Sequence, residues 1–135
     1  MMQQYQGIRR SLPEDTLLLF RLGDFYEMFF EDAKRASAVL NLALTKRNGV
    51  PMCGIPYHAA EGYLRKLVAA GIRVAIGDQV SEPQPGKIVQ REVTQIISPG
   101  TVSDLQMLEA SRNHFLAAVH SYPKRGFGFA YLDLM

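Results

Sequence analysis

The chain has 135 residues and a hydrophobic fraction of 47%, which suits one globular domain, or one domain with part of another. Its net charge of +2 is too small to indicate nucleic-acid binding by itself, and no apolar run approaches the roughly 20 residues of a membrane-spanning helix. The N-terminal stretch lacks the apolar core of a signal peptide, so we expect a soluble, cytoplasmic protein. The single cysteine, Cys53, excludes an internal disulfide and predicts a small buried thiol.

The first third of the chain predicts a helix, a strand and a second helix. MMQQYQGIRRSLP is typical of a short amphipathic helix that Pro13 stops, and DTLLLFRLG of a strand covered on both faces. In GDFYE, Asp24 would then cap the second helix, Glu27 would complete a capping box, and Phe25 would project from the helix tip. Apolar residues at helical spacing support that helix as far as Asn41: Tyr26, Phe29, Phe30, Ala33, Ser37 and Leu40.

The rest of the chain predicts a mixed sheet. The NG of LALTKRNGVPMCGIP indicates a tight turn between two short extended segments, and YHAAEGYLRKLVAAG an amphipathic helix that Gly71 ends. IRVAIGDQV and IVQREVTQIIS predict strands, LQMLEASR a short helix, and the tail two strands joined at PKRG. The tail would be an edge of the main sheet or the start of a truncated second domain. These elements predict an α/β (α+β) fold with a mixed β-sheet flanked by helices.

Two other kinds of function stay open at this point. The chain has no phosphate-binding loop and no zinc motif, but one acidic segment could hold Mg²⁺ in a nuclease, through Asp24, Glu27, Glu31 and Asp32. RGFGFAYL matches the first five positions of an RNA-binding octapeptide whose aromatic side chains stack on bases. An RNA-binding or protein-interaction module that uses the tail strands is therefore a second alternative.

Five segments in chain order carry a family resemblance: MMQQY, RLGDFYEMFFEDAKRAS, LTKRNG, PMCGIPYHAAEGYLRKLV and ISPGT. Together they resemble the N-terminal mismatch-recognition domain of the MutS family of DNA mismatch repair proteins. The resemblance implies that residues 1–111 form this domain, and that 112–135 are the opening strands of a connector domain.

The resemblance also implies that this segment is a non-enzymatic DNA-binding module without a metal, a cofactor or membrane contact. The full-length protein would carry a C-terminal ATPase that binds ATP and Mg²⁺. It would clamp duplex DNA with mismatches or small loops as a homodimer, through domains absent here, and act with downstream repair proteins.

In the family, a Phe-x-Glu motif inserts its phenylalanine beside the mispaired base from the minor-groove side, which implies that role for Phe25 and base contact for Glu27. An apolar wedge suits this task, because mismatches share weak stacking and easy kinking. The loop after Arg47 is shorter than is usual in the family, and GDQ at 77–79 replaces a common CEQ. Further DNA contacts are implied for Lys46, Arg47, Met52, His58 and Tyr63.

Overall fold

A computed structural model describes residues 1–101 and 111–134 of the chain. Within these ranges the helices are α1 (Met2–Ser11), α2 (Phe30–Leu40) and α3 (Ala60–Ala69), and a 3₁₀ turn at Tyr57–Ala59 precedes α3. The strands are β1 (Thr16–Leu22), β2 (Phe25–Phe29), β3 (Thr45–Arg47), β4 (Val50–Pro56), β5 (Arg73–Gln79), β6 (Arg91–Ile97), β7 (Phe115–Tyr122) and β8 (Gly126–Asp133).

Six strands form one mixed sheet in the order β3-β4-β2-β1-β5-β6. β1 and β5 are parallel, and the other neighbouring pairs are antiparallel, which confirms the predicted fold class. β7 and β8 pair with each other as a separate hairpin and not as an edge of the main sheet.

The chain divides into compact units at Met1–Pro99 and Gly100–Met135. The predicted domain boundary after residue 111 stays a prediction. A helix is predicted around LQMLEASR, residues 105–112. Residues 105–110 of this segment lie outside the described residues.

The main sheet is covered on its two faces by different helices. On one face, Tyr5 of α1 packs edge-to-face against Phe20 and Phe29, with ring centroids 5.5 and 5.0 Å apart. On the other face, the Cys53 thiol of β4 lies 3.4 Å from the carbonyl oxygen of Ala33 in α2. Because side chains alternate along a strand, each face of β2 and β4 has its own set of residues.

The predicted helix start at GDFYE is wrong, because Phe25–Phe29 form β2 and α2 begins only at Phe30. The N-cap of α2 is Phe29, which makes no side-chain capping bond, so neither Asp24 as a cap nor Glu27 in a capping box is found. Gly23 has a φ of +57° and occupies the first position of a two-residue hairpin turn between Leu22 and Phe25. Hydrogen bonding to β1 and β4 on its two sides makes β2 a central strand.

The buried thiol of Cys53 provides a pH-dependent prediction, since burial raises its pKa to about 11 from an ordinary 9.0. Well below pH 9.0 the folded and unfolded thiols are both protonated. As pH rises from 9.0 towards 11 the unfolded thiol ionises first, so the free energy of unfolding should fall over that range. Urea titrations at several pH values should show this fall, and Cys53→Ala should remove that part of it. The same slope in Cys53→Ala would show that other groups cause it.

Candidate functional site

Phe25 is the first residue of β2, directly after the hairpin turn. Its side chain is 47% exposed, although that of its neighbour Tyr26 is buried. Its cross-strand partners are Leu22 of β1 and Pro56 of β4. Nearly half of this large apolar ring is left uncovered at the end of a central strand. It is therefore available for contact with another molecule.

The turn that carries Phe25 is braced from the neighbouring segments. The Arg21 guanidinium lies over the Tyr57 ring, 3.7 Å from its centroid, and Arg21 Nε donates to the carbonyl oxygen of Gly23. The backbone N–H of Tyr57 donates to the carbonyl oxygen of Asp24 at 2.9 Å. These contacts connect the turn to β1 and to the 3₁₀ turn after β4.

Glu27 lies on the same face of β2 as Phe25, two residues further along the strand. Nη1 of Arg47 donates to both carboxylate oxygens, 2.7 Å from Oε1 and 2.5 Å from Oε2. The Glu27 side chain is only 12% exposed, whereas that of Arg47 is 43% exposed. The guanidinium therefore engages a carboxylate that is mostly covered.

The hairpin between β3 and β4 brings Arg47 to Glu27. Asn48 and Gly49, both with positive φ, form its turn, as the NG pattern predicts, and Arg47 pairs with Val50. β4 in turn pairs with β2, which places Arg47 within reach of Glu27 although 20 residues separate them. Phe25, Glu27 and Arg47 thus meet on one face of the sheet.

Gly54 is a site residue that the sequence reasoning missed. It pairs with Glu27, and a Cβ placed on it would lie 3.5 Å from Glu27 Cγ and 3.8 Å from Phe25 Cδ1. The missing side chain leaves open the surface between the ring and the carboxylate. A glycine inside a strand pattern is the sequence signal that could have found it, because it leaves the strand face without a side chain at that position.

The other predicted contact residues do not all lie on this face. Met52 shares it but is half-buried and packs against the core beneath α1. Alternation along β3 places Lys46 on the opposite face from Arg47. His58 is exposed in the 3₁₀ turn beside Tyr57, at the Phe25 end of β4, while Tyr63 lies half-buried on α3.

The acidic residues of the nuclease alternative do not converge. Glu31 pairs with Lys34 at 2.7 Å on the surface of α2. Asp32 is buried, accepts the Leu18 N–H at 3.1 Å and pairs with Arg9, and its burial raises the pKa of its carboxyl. Residues 1–101 and 111–134 contain no cluster of three or more His, Cys, Asp or Glu side chains that could hold a metal. In the same ranges, no helix has the length and apolar character needed to cross a membrane.

Comparison with known proteins gives a consistent family. Residues 1–106 match the model of MutS domain I. Over 99% of its length the chain is 53% identical to the DNA mismatch repair protein MutS of Syntrophobacter fumaroxidans. It is 50% identical, over the same share, to the MutS proteins of Treponema denticola and Pelotomaculum thermopropionicum. The chain spans only 16% of the length of each of these relatives. It belongs to the MutS family of DNA mismatch repair proteins, within which it corresponds to domain I and the segment that follows it.

Proposed function

We propose that this chain recognises mispaired or unpaired bases in duplex DNA by inserting Phe25 beside the base, with Glu27 in contact with it. The observation that carries the proposal is the exposed ring at the end of a braced two-residue turn, on the same strand face as the carboxylate. Family membership supports DNA as the ligand.

The physical basis of recognition would be the lower cost of opening a defective base step. Inserting an apolar side chain unstacks a step at a cost of about a few kcal/mol. A mismatch is already poorly stacked, so this cost is smaller there, and an aromatic ring regains about 1–3 kcal/mol by stacking on any base. Because the Phe25 tip is held in place before binding, little conformational entropy would be lost on insertion.

Glu27 would act against binding to ordinary duplex. Its carboxylate would neutralise the neighbouring Arg47 cation and would itself repel phosphates where it is unpaired, and a base edge that donates a hydrogen bond would offset this cost. In the proposed complex the base edge would approach Glu27 over Gly54, where the strand face carries no side chain.

The flanking residues would contribute contacts of smaller effect. Arg47 and Lys46 belong to the exposed edge strand β3, where a cation can meet a phosphate, and His58 is exposed near the Phe25 tip. We keep Met52 and Tyr63 in the proposed contact surface, although each is half-buried.

We further propose that a longer cytoplasmic protein contains this segment and supplies the functions that it lacks. These are an ATPase that uses ATP and Mg²⁺, homodimerisation around DNA, and contacts with downstream repair proteins. The chain itself would bind DNA without catalysing a reaction, and its domain boundary would fall at residue 111.

Fluorescence anisotropy with short labelled duplexes tests the proposal. The chain should bind a duplex with one unpaired base more tightly than the matching homoduplex. Binding to both should weaken as salt rises from about 50 to 200 mM, since phosphates are neutralised. Equal affinity for the two duplexes at every salt concentration would contradict the proposed function. If the chain instead cleaves the duplex in the presence of Mg²⁺, and Glu27→Ala and Glu31→Ala abolish this cleavage, the nuclease alternative is supported.

Filling the open surface over Gly54 should impair recognition without unfolding the chain. Gly54→Val adds a side chain that β-strands favour, but it places methyl groups beside Phe25 and Glu27. We expect the preference for the unpaired base to fall about tenfold, an effect of about 1.4 kcal/mol. Anisotropy would measure the preference, and circular dichroism would verify the fold. A Gly54→Val chain with the original preference would show that no base enters this surface.

A further inference from the structure

Arg47 and Glu27 form an ion pair on the strand face that also carries Phe25. We propose that this pair is a specificity switch, an inference that rests on the proposed function. On ordinary duplex, Glu27 holds the Arg47 guanidinium away from the DNA. At a mismatch, Glu27 turns to the base edge and releases Arg47 to bind a phosphate.

The geometry of the pair makes such an exchange accessible. Arg47 ends a three-residue edge strand that is exposed throughout and lies next to the Asn48-Gly49 turn. Its side chain is 43% exposed, so rotation of the guanidinium towards solvent does not disturb the core. Glu27 sits on central strand β2, where the backbone is fixed by neighbours on both sides. The backbone of Glu27 therefore stays in place, and the exchange needs only rotation of the two side chains.

The chemistry of the pair makes the two partners of Arg47 competitors. Glu27 engages only one guanidinium nitrogen, Nη1, so the competition is one of charge: a carboxylate in contact neutralises the cation that a phosphate would otherwise attract. While Nη1 is engaged by both oxygens of Glu27, the pair has no net charge to offer the DNA backbone. A base that donates a hydrogen bond to Glu27 weakens its hold on Arg47. Recognition of the base is thereby converted into one additional phosphate contact.

The neighbouring cation cannot replace Arg47 in this exchange. Lys46 precedes it in β3 and pairs with Pro51, so alternation places its side chain on the opposite face of the sheet. The switch therefore depends on one guanidinium, so a single substitution of Arg47 can test it.

The dependence of affinity on salt measures the switch directly, because each phosphate neutralised adds about 0.9 to the slope of log K against log salt. In the unaltered chain we expect a slope steeper by about 0.9 on the unpaired-base duplex than on homoduplex. Glu27→Gln should steepen the homoduplex slope by the same amount of about 0.9, since Arg47 is no longer held. In the Arg47→Gln background, Glu27→Gln should leave the homoduplex slope unchanged.

Glu31→Gln is the matched control, because it removes the same charge from an exposed ion pair with Lys34 on α2. Its slope should equal that of the unaltered chain. If Glu31→Gln steepens the homoduplex slope as much as Glu27→Gln does, general charge repulsion explains the effect and the switch is overturned. The same conclusion follows if Glu27→Gln steepens this slope equally with Arg47 present and with Arg47 replaced. If the unaltered chain prefers the unpaired-base duplex but shows equal slopes on both duplexes, the switch is also overturned, while the proposed function stands. Absence of any preference would instead contradict the proposed function itself.

Discussion

Phe25→Ala is expected to abolish the preference of the chain for a duplex with an unpaired base and to lower its free energy of unfolding much less than loss of a fully buried ring would. The ring supplies the stacking energy of about 1–3 kcal/mol in the proposed complex, which corresponds to about 5- to 150-fold in affinity. In the free chain it is 47% exposed, so its removal takes less apolar surface from the core than removal of a fully buried phenylalanine.

The measurement is anisotropy with both duplexes, combined with a urea titration of each variant. Phe127→Ala is the matched control, because this phenylalanine is 79% exposed on the tail hairpin. It should leave both affinities unchanged. Undiminished discrimination in Phe25→Ala would contradict the wedge, and a loss confined to Phe127→Ala would favour nucleic-acid binding by the tail strands.

Elements with strong local signals could be predicted from the sequence. The NG turn, the stop at Asn41 and the tail hairpin all follow from residue types that favour one backbone conformation, and each is present in the structure. Asn41, for example, adopts the left-handed conformation that ends α2. Such signals act within a few residues, so they do not depend on the tertiary fold.

The strand β2 could not be predicted, because its evidence is not local. Tyr26 and Phe29 fit a helical stripe, and Gly23-Asp24 suits a helix start as well as a hairpin turn. The strand forms because β1 and β4 lie on either side of it and bond its backbone, and its side chains fill the core on both faces. A contiguous apolar segment satisfies either structure, and only the neighbouring strands decide between them.

The arrangement of the candidate site likewise could not be predicted from the sequence. The family resemblance points to Phe25, Glu27 and Arg47 separately, but their meeting depends on the register of β3 with β4 and of β4 with β2. The same register separates Lys46 from Arg47, since a shift of one residue moves a side chain to the other face. The role of Gly54 depends on its pairing with Glu27, which no periodicity reveals.

The contrast between Phe25 and Phe29 leads to the largest stability effect that we expect. Both are phenylalanines on the same face of β2, but Phe29 is fully buried and its ring lies against that of Tyr5, with centroids 5.0 Å apart. Phe29→Ala should lower the free energy of unfolding by about 3–5 kcal/mol, from the lost burial and the cavity left beneath α1. Whole domains are stable by about 5–15 kcal/mol, so this is a large share.

Urea titration of Phe29→Ala beside Phe25→Ala separates the structural from the proposed functional phenylalanine. At a urea concentration where it stays folded, Phe29→Ala should retain preference for the unpaired base, because it leaves the Phe25 tip and its Arg21 brace intact. A small effect of Phe29→Ala on unfolding would show that α1 does not depend on this face of the sheet. Loss of preference in a folded Phe29→Ala chain would mean that packing beneath α1 also positions Phe25, so that the turn contacts alone do not hold the tip.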